Sequence, residues 1–411
     1  RTVRSRGGAV KLESARILLV APQPFFVERG TPIAVRLLAQ TLVEQGHIVD
    51  LLTYHDGTDL RLDGVNHFRA GRPPGIGAIP VGISWQKLIA DLWLIASMVR
   101  LLRRQHYTVV HAVEEAVFPA VVLNMFSTRK LVYDMDSSLV EQMADKWWLL
   151  RPFKPLFTAI ERAAVRRCHM VVAVCEDLAV RVRPWVGAER VVVLPDVPVG
   201  GDAPVPADLE SLRQGMPQDA LLGLYVGNLE RYQGIDLLLH GLAQAQAARS
   251  LQVVVVGGSA AHVEQYQRMA AELGVAERVR FLGPRPLSLL PAYLAQADIL
   301  LSPRTLGQNT PMKVYSYMQA GKAILATDIR SHTQALDAAC AELVAPEPQA
   351  VAAGLSRLVA DAAHRARLGA AARERVEREF SLRTFRGRLA EAYAILTGGS
   401  ATSSSSPSPT P

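Results

Sequence analysis

Residues 302–322, SPRTLGQNTPMKVYSYMQAGK, gather the side chains and spacings best suited to holding an anion. A short apolar run, 298–301, precedes them and reads as a buried strand. Thr310-Pro311 then joins a good N-cap residue to the residue favoured at the first helical position. The pattern predicts a helix to about Ala320, stopped at Gly321. Asn309, Lys313 and Ser316 follow at spacings of four and three, so they share one helix face. A helix start presents unpaired N–H groups and partial positive charge, and a diphosphate fits that arrangement. The motif alone leaves open an ordinary capped helix carrying solvated polar residues.

A second stretch repeats the design. Residues 16–21 (RILLVA) read as a strand, 22–30 as a loop, and Thr31-Pro32 as the opening of a helix to about Gln45. Gly46 ends that helix and 48–54 return as a strand, giving a βαβ unit of a parallel sheet. Gly30 has no side chain, so the backbone N–H groups of its loop can approach a phosphate. Further strands are expected at 108–112, 130–133, 170–174 and 190–194, with helices between most of them. Residues 195–220 gather five prolines and read as an interdomain linker. The alternation then restarts, with strands at 221–226, 251–256, 278–282 and 323–327 and helices at 235–247, 262–273 and 287–295. Residues 351–379 and 382–396 read as helices, and 398–411 as a disordered Ser/Pro-rich tail. Ligands of open parallel sheets bind outside the carboxyl ends of the strands, so both Thr-Pro helix starts are expected at an interdomain cleft.

Two domains suit 411 residues, and 49% apolar residues suffice for two cores. A net charge of +7 favours anionic partners, but no compact Lys/Arg run supports nucleic acid. Three cysteines without metal-type spacing, Cys168, Cys175 and Cys340, point to buried thiols in a reducing compartment. No uncharged stretch reaches the roughly 20 residues that span a bilayer, and the first residues lack a signal-peptide core.

Motif order over residues 16–393 resembles the family 4 glycosyltransferases of GT-B fold. The phrases that carry the likeness are RILLVAP, LAQTLVEQGHIVDLLT, VVHA, YVGNLERYQGIDLLLHGL, VVVVGG, VRFLGP, LPAYLAQADILLSP and YMQAGKAILATD. The resemblance implies an α/β protein with two Rossmann-like domains facing across a cleft and a C-terminal helix returning to the N-terminal domain. The implied division is 1–15 tail, 16–197 acceptor domain, 198–219 linker, 220–380 nucleotide-sugar domain and 381–397 last helix. The implied chemistry is sugar transfer from a nucleotide diphosphate sugar, the co-substrate, with retention and with neither metal nor other cofactor.

On that resemblance the donor would be bound by Gly30, Thr31, Gly227, Asn228, Arg231, Gln233, Arg304, Gln308, Asn309, Thr310, Pro311, Lys313 and Ser316. Four of these depart from the family. Its phosphate-binding Arg and Lys are Asn228 and Gln233, and its two glutamates are Gln308 and Ser316. A diphosphate still requires positive partners, and Arg231, Arg304 and Lys313 are the cations within the same loops. Ser316 retains hydrogen-bonding capacity for a ribose hydroxyl. A rewired site and a decayed, non-catalytic one both follow from these replacements.

In the N-terminal half, family members often carry a histidine that contacts the donor sugar. The matching residue is His111, and a second such position is Val113. Glu114 or Glu115 can serve near the acceptor hydroxyl, while Asp134, Asp136 and Ser137 are acceptor-side candidates. Residues 84–104 and 146–167 are apolar with basic ends, the second with Trp147 and Trp148 beside Arg151 and Lys154. They suit an anionic membrane surface, though each also fits an N-domain core helix. The expectation is a cytoplasmic glycosyltransferase, peripheral on the inner membrane face, acting on a cell-envelope lipid or glycan. A sugar-nucleotide epimerase is the enzyme alternative; a Rossmann dehydrogenase is disfavoured because no G-x-G-x-x-G opens the first unit.

Overall fold

The structure, a computed structural model, describes residues 2–5, 8–11, 14–27, 30–77, 79, 84–138, 152–200 and 209–398. Trp147, Trp148 and Arg151, and the tail after Gly398, lie outside the described residues. The chain forms two units, Arg1–Pro195 with Phe385–Pro411, and Asp196–Thr384.

The first unit begins with an antiparallel pair, β1 (Thr2–Ser5) and β2 (Gly8–Lys11), within the stretch expected to be a tail. Its main sheet is built from β3 (Arg16–Val20), α1 (Gly30–Glu44), β4 (Ile48–Thr53), β5 (Val65–Arg69), α2 (Trp85–Arg104), β6 (Val109–Val113), α3 (Val117–Leu123), β7 (Lys130–Met135), α4 (Lys154–Arg167), β8 (Met170–Ala173), α5 (Glu176–Val186) and β9 (Val191–Val193). The seven strands are parallel in the order β5-β4-β3-β6-β7-β8-β9. Apolar runs such as Val109–Val113 are buried along their whole length, as a sheet covered on both faces requires. β5 alternates half-buried and exposed residues at the sheet edge, and its polar sequence VNHFR hid it from apolar-run reading. Ser84 caps α2 by accepting from the Lys87 N–H at 3.1 Å.

The second unit runs β10 (Leu221–Val226), α6 (Ile235–Gln244), β11 (Leu251–Val256), α7 (Ala260–Glu272), β12 (Val279–Gly283), α8 (Leu290–Gln296), β13 (Ile299–Ser302), α9 (Met312–Ala320), β14 (Ala323–Thr327), α10 (Arg330–Thr333), β15 (Glu342–Val344), α11 (Pro348–Ala360) and α12 (Ala362–Glu379). Its six parallel strands follow the order β12-β11-β10-β13-β14-β15, with apolar cores on both faces. The single helix expected over 351–379 is two, because Asp361 caps a new one by accepting from the His364 N–H. Three-residue β15 was too short to read from sequence.

The last helix, α13 (Leu382–Thr397), carries its residues from Phe385 onward into the first unit. Arg386 pairs with Glu44 at 2.6 Å, and Gln45 Nε2 donates to the Arg386 carbonyl at 2.9 Å. In each unit the strand order reverses beside the first strand, between β3 and β6 and between β10 and β13. Loops diverge at such a point and leave a crevice at the carboxyl ends.

The β10–α6 and β13–α9 loops meet at Gly234. Its φ of +72° is left-handed, and a Cβ there would stand 2.0 Å from the Pro303 carbonyl oxygen. Thr305 N–H also donates to the Tyr232 carbonyl at 2.9 Å. Gly234→Ala should therefore lower unfolding free energy by at least about 1–3 kcal/mol, from left-handed strain plus collision. Urea unfolding checks this; an unchanged midpoint contradicts the tight loop junction.

Candidate functional site

The second unit brings two cations to its crevice. α9 starts at Met312, with Pro311 in the cap position and no side-chain cap. Thr310 therefore does not cap the helix as expected. Its extended neighbour Pro311 takes the boundary position, and the Thr310 hydroxyl is buried without a hydrogen-bond partner among the described residues. Lys313, in the first turn, lays its ammonium 3.9 Å from the centre of the Tyr225 ring and donates to Gln233 Oε1 at 3.1 Å. Gly227, at φ +150°, makes room: a Cβ there would lie 3.3 Å from Lys313 Nζ. Burial, and then the Arg304 charge, hold the Lys313 ammonium well below the usual lysine range.

Arg304 is 9% exposed, and its guanidinium lies over the Tyr232 ring at 5.3 Å. It donates to the carbonyls of Leu306 and Asn309. Burial lowers its pKa too. Among the described residues, neither cation has a carboxylate within ion-pair distance. Two desolvated, like charges without an anion form an expensive arrangement that a bound diphosphate would relieve.

The other expected donor residues are placed as follows. Asn228 is exposed, and its Oδ1 accepts from the Glu230 N–H at 3.3 Å within its own turn. Gln308 is exposed and its carbonyl accepts from Gln334 Nε2. Ser316 does not offer its hydroxyl to a ribose: it is 3% exposed, accepts from the Val199 N–H at 2.8 Å and donates to the Val199 carbonyl. Arg231 is exposed and lines a hollow of about 380 Å³ with Glu230, Asp236, His262 and Tyr266. In the first unit, α1 already includes Gly30, so Thr31 lies inside its first turn instead of capping it. Nothing stands within 4 Å of a Cβ on Gly30, so the protein itself does not demand glycine there.

At the carboxyl ends of β6 and β7, His111, Glu114, Asp134 and Ser137 come together. Ser137 Oγ donates to Glu114 Oε1 at 3.0 Å, and His111 Nε2 lies 3.3 Å from Asp134 Oδ2. Asp136 occupies the turn between Asp134 and Ser137. Glu114 adopts φ +48°, a left-handed conformation unusual for glutamate. Burial, then the Glu115 carboxylate, push its carboxyl well above the usual range. Lys87 pairs with Glu115, and Tyr54 donates to Asp91, whose carboxyl burial pushes up to about 6. Lys87, Asp91, Tyr54 and Tyr393, whose hydroxyl lies 2.8 Å from His111 Nδ1, were missed because no local motif announces them; they arrive from α2, from the residue that follows β4 and from α13. Among the described residues, no three His, Cys, Asp or Glu side chains converge as a metal centre requires.

Known proteins match this chain in both of its halves. A family model described as Glycosyltransferase Family 4 matches residues 29–196, and one described as Glycosyl transferases group 1 matches residues 210–375. Each model covers less than half of the chain, one in either half, and both describe glycosyltransferases. Matched stretches span between 22 and 44% of the length of curated relatives, well under two thirds. One is the D-inositol 3-phosphate glycosyltransferase of Corynebacterium glutamicum, 29% identical over 187 residues, which are 44% of each chain. The fold is shared along nearly the full length with sucrose-phosphate synthase of Thermosynechococcus elongatus, at TM-score 0.77 and 20% identity over 93% of this chain and 99% of that one. Anabaena HepE, solved with UDP-glucose, gives TM-score 0.69 and 18% identity over 93% of this chain and all of that one. These neighbours show that the two α/β units of this chain are consistent with a GT-B fold.

Behind Arg304, a buried histidine holds the β13 and β14 ends together. The Thr327 carbonyl can only accept, which puts the His332 proton on Nδ1, 2.9 Å away. Nε2 then accepts from Ser302 Oγ at 2.8 Å, while Thr327 Oγ1 donates to the Arg304 carbonyl. Burial lowers the His332 pKa from 6.5 to about 4. Between those values the unfolded chain binds the proton and the folded one does not, so stability falls as pH drops from 6.5 towards 4. The loss from this group approaches about 3 kcal/mol at the lower end. Urea titrations across that interval should give a steeper pH slope for the wild type than for His332→Gln; equal slopes contradict the assignment.

Proposed function

We propose that this glycosyltransferase transfers a sugar from a nucleotide diphosphate sugar to a hydroxyl of a cell-envelope lipid or glycan, with retention of configuration. The observation that carries the reading is the pair of cations, Arg304 in the β13–α9 loop and Lys313 in the first turn of α9, with neither a carboxylate partner nor a partner for the Thr310 hydroxyl among the described residues. A diphosphate supplies the missing negative charge and accepts from both cations. Tyr225 and Tyr232 hold those cations in place, so the rewired clamp uses Arg304 and Lys313 where relatives of the resembling family use Arg and Lys on the preceding loop. HepE, bound to UDP-glucose, adds support from a protein of the same fold.

In the transfer, the bond between the anomeric carbon and the diphosphate oxygen breaks. A bond to the acceptor oxygen forms on the same face, and the acceptor proton passes to the departing phosphate. The clamp stabilises charge developing on the leaving group, which is the electrostatic part of the barrier. Glu114, Asp134, Asp136 and Ser137 form the acceptor side, where carboxylates accept from sugar hydroxyls. Turnover measured across UDP-, GDP- and ADP-sugars tests the reading, with the anomeric configuration of the product deciding retention. No product from any of them favours a binding protein without turnover.

Lys313→Met should weaken nucleoside diphosphate binding by about 1.5–3 kcal/mol, the range for a charged hydrogen bond. Ligand-free stability should hold or rise, because a desolvated cation is replaced by an apolar chain of similar length. Calorimetry with UDP, GDP and ADP checks both; unchanged affinity removes Lys313 from the site.

The acceptor class also rests on the outer surface of the first unit. Trp85, Leu88 and Leu92 are each more than 60% exposed on α2, and Phe153, Leu156 and Ile160 are exposed at and along α4. Lys154, Arg162, Arg166 and Arg167 flank the second stripe, whose only acid, Glu161, is buried. Both helices cover one sheet face with their opposite sides. The pattern suits an anionic bilayer surface; among the described residues no helix is long and apolar enough to cross a membrane. Replacing Leu88, Leu92, Leu156 and Ile160 with Ser should reduce co-sedimentation with anionic vesicles at low salt, and salt should weaken wild-type binding. Wild-type protein that ignores such vesicles rules out the membrane surface.

A further inference from the structure

Tyr393 comes from the last helix, 282 residues beyond His111, and its hydroxyl lies 2.8 Å from His111 Nδ1. The two rings are nearly parallel, 8° apart with centres at 6.2 Å. Both side chains have no exposed surface. On its other side the Tyr393 ring packs against His47 at 5.3 Å, and His47 Nδ1 is already occupied, accepting from the Ala15 N–H at 3.2 Å. His111 Nδ1 is therefore the one hydrogen-bond partner of the Tyr393 hydroxyl among the described residues. Burial holds the phenol far above its usual range, so it keeps its proton. A buried O–H must donate, and Nδ1 is where it can. That leaves the imidazole proton on Nε2, which faces Asp134 Oδ2 at 3.3 Å, an electrostatic contact not aligned as a full hydrogen bond.

Exposure orders the three groups. Tyr393 and His111 are sealed, whereas the Asp134 side chain keeps 15% of its surface open at the carboxyl end of β7. His111 Nδ1 is held by Tyr393 and Nε2 faces Asp134, so neither nitrogen opens outward. We propose that Tyr393 fixes the tautomer of His111, and that His111 Nε2–H in turn orients the Asp134 carboxylate, which is the member of the series that meets substrate. Tyr393 and His111 are then positioning residues, and α13 serves the site as well as the fold. The role of Asp134 rests on the transferase reading; the tautomer does not.

Two measurements on the full-length chain separate these levels. Long-range nitrogen–proton spectra of histidine-labelled protein, with His111 assigned by the signal lost in His111→Gln, should show the Nε2–H tautomer. Tyr393→Phe removes one oxygen and should redistribute the proton between the two nitrogens. In turnover, Tyr393→Phe should lower kcat at least fivefold with nucleoside diphosphate affinity unchanged. The double variant Tyr393→Phe/Asp134→Asn should be no slower than Asp134→Asn alone, because residues acting as one chain are not additive. An Nδ1–H tautomer in the wild type overturns the proposal without any variant having to fold. Unchanged kcat, or losses that simply multiply, overturn the positioning role. Absence of all turnover sinks the transferase reading instead, and the spectra still decide the tautomer.

Discussion

Charge without a counter-charge constrains the second unit. Arg304 and Lys313 are brought to one crevice, desolvated, and left without a carboxylate among the described residues. The protein tolerates them by partial substitutes: aromatic faces of Tyr225 and Tyr232, the Gln233 amide oxygen and loop carbonyls. Each of these stabilises a cation less than an anion does, which leaves binding energy available to a phosphate. Much of the surrounding geometry serves to keep that arrangement. Gly227 lets the ammonium lie against backbone, Gly234 lets the two loops touch, and the neutral His332 ties Ser302 and Thr327 beneath Arg304.

The first unit solves a different problem, that of holding buried or fixed carboxylates at the carboxyl ends of two interior strands. Glu114 is buried in a left-handed backbone conformation, Asp91 is raised by burial, and Asp134 is backed by a histidine. Burial raises the cost of the charged form of Glu114 and Asp91, so these two hold a proton more readily than an exposed carboxylate does.

Family likeness and departures were both visible as letters. On the family resemblance, Asn228, Gln233, Gln308 and Ser316 stand where the usual Arg, Lys and two Glu are expected. Which of the candidate cations Arg231, Arg304 and Lys313 lie together was not visible there. Arg304 and Lys313 lie near enough for the charge of one to act on the other, whereas Arg231 faces the hollow beside α7. Ser316, one helical turn past Lys313, turns into the unit and binds the Val199 backbone. Neighbours at three-residue spacing share a helix face, but that face is wide enough to hold one residue at the crevice and bury the next.

The sequence by itself determined the alternation of strands and helices, the two parallel sheets and the strand-end loops that carry the site, because apolar periodicity and Gly, Pro and Thr placement are local signals. It did not reveal β5 or β15, whose short or polar edge sequences lack an apolar run. Nor did it reveal which Thr-Pro residue would cap, since Pro311 and Gly30 sit at boundaries set by neighbouring loops. Only the tertiary structure decided that His111 is sealed behind Tyr393, that Asp134 is the open member of that series, and that two cations share one crevice. Those outcomes depend on burial and on contacts between residues as far apart as 282 positions, and neither quantity is written in local residue order.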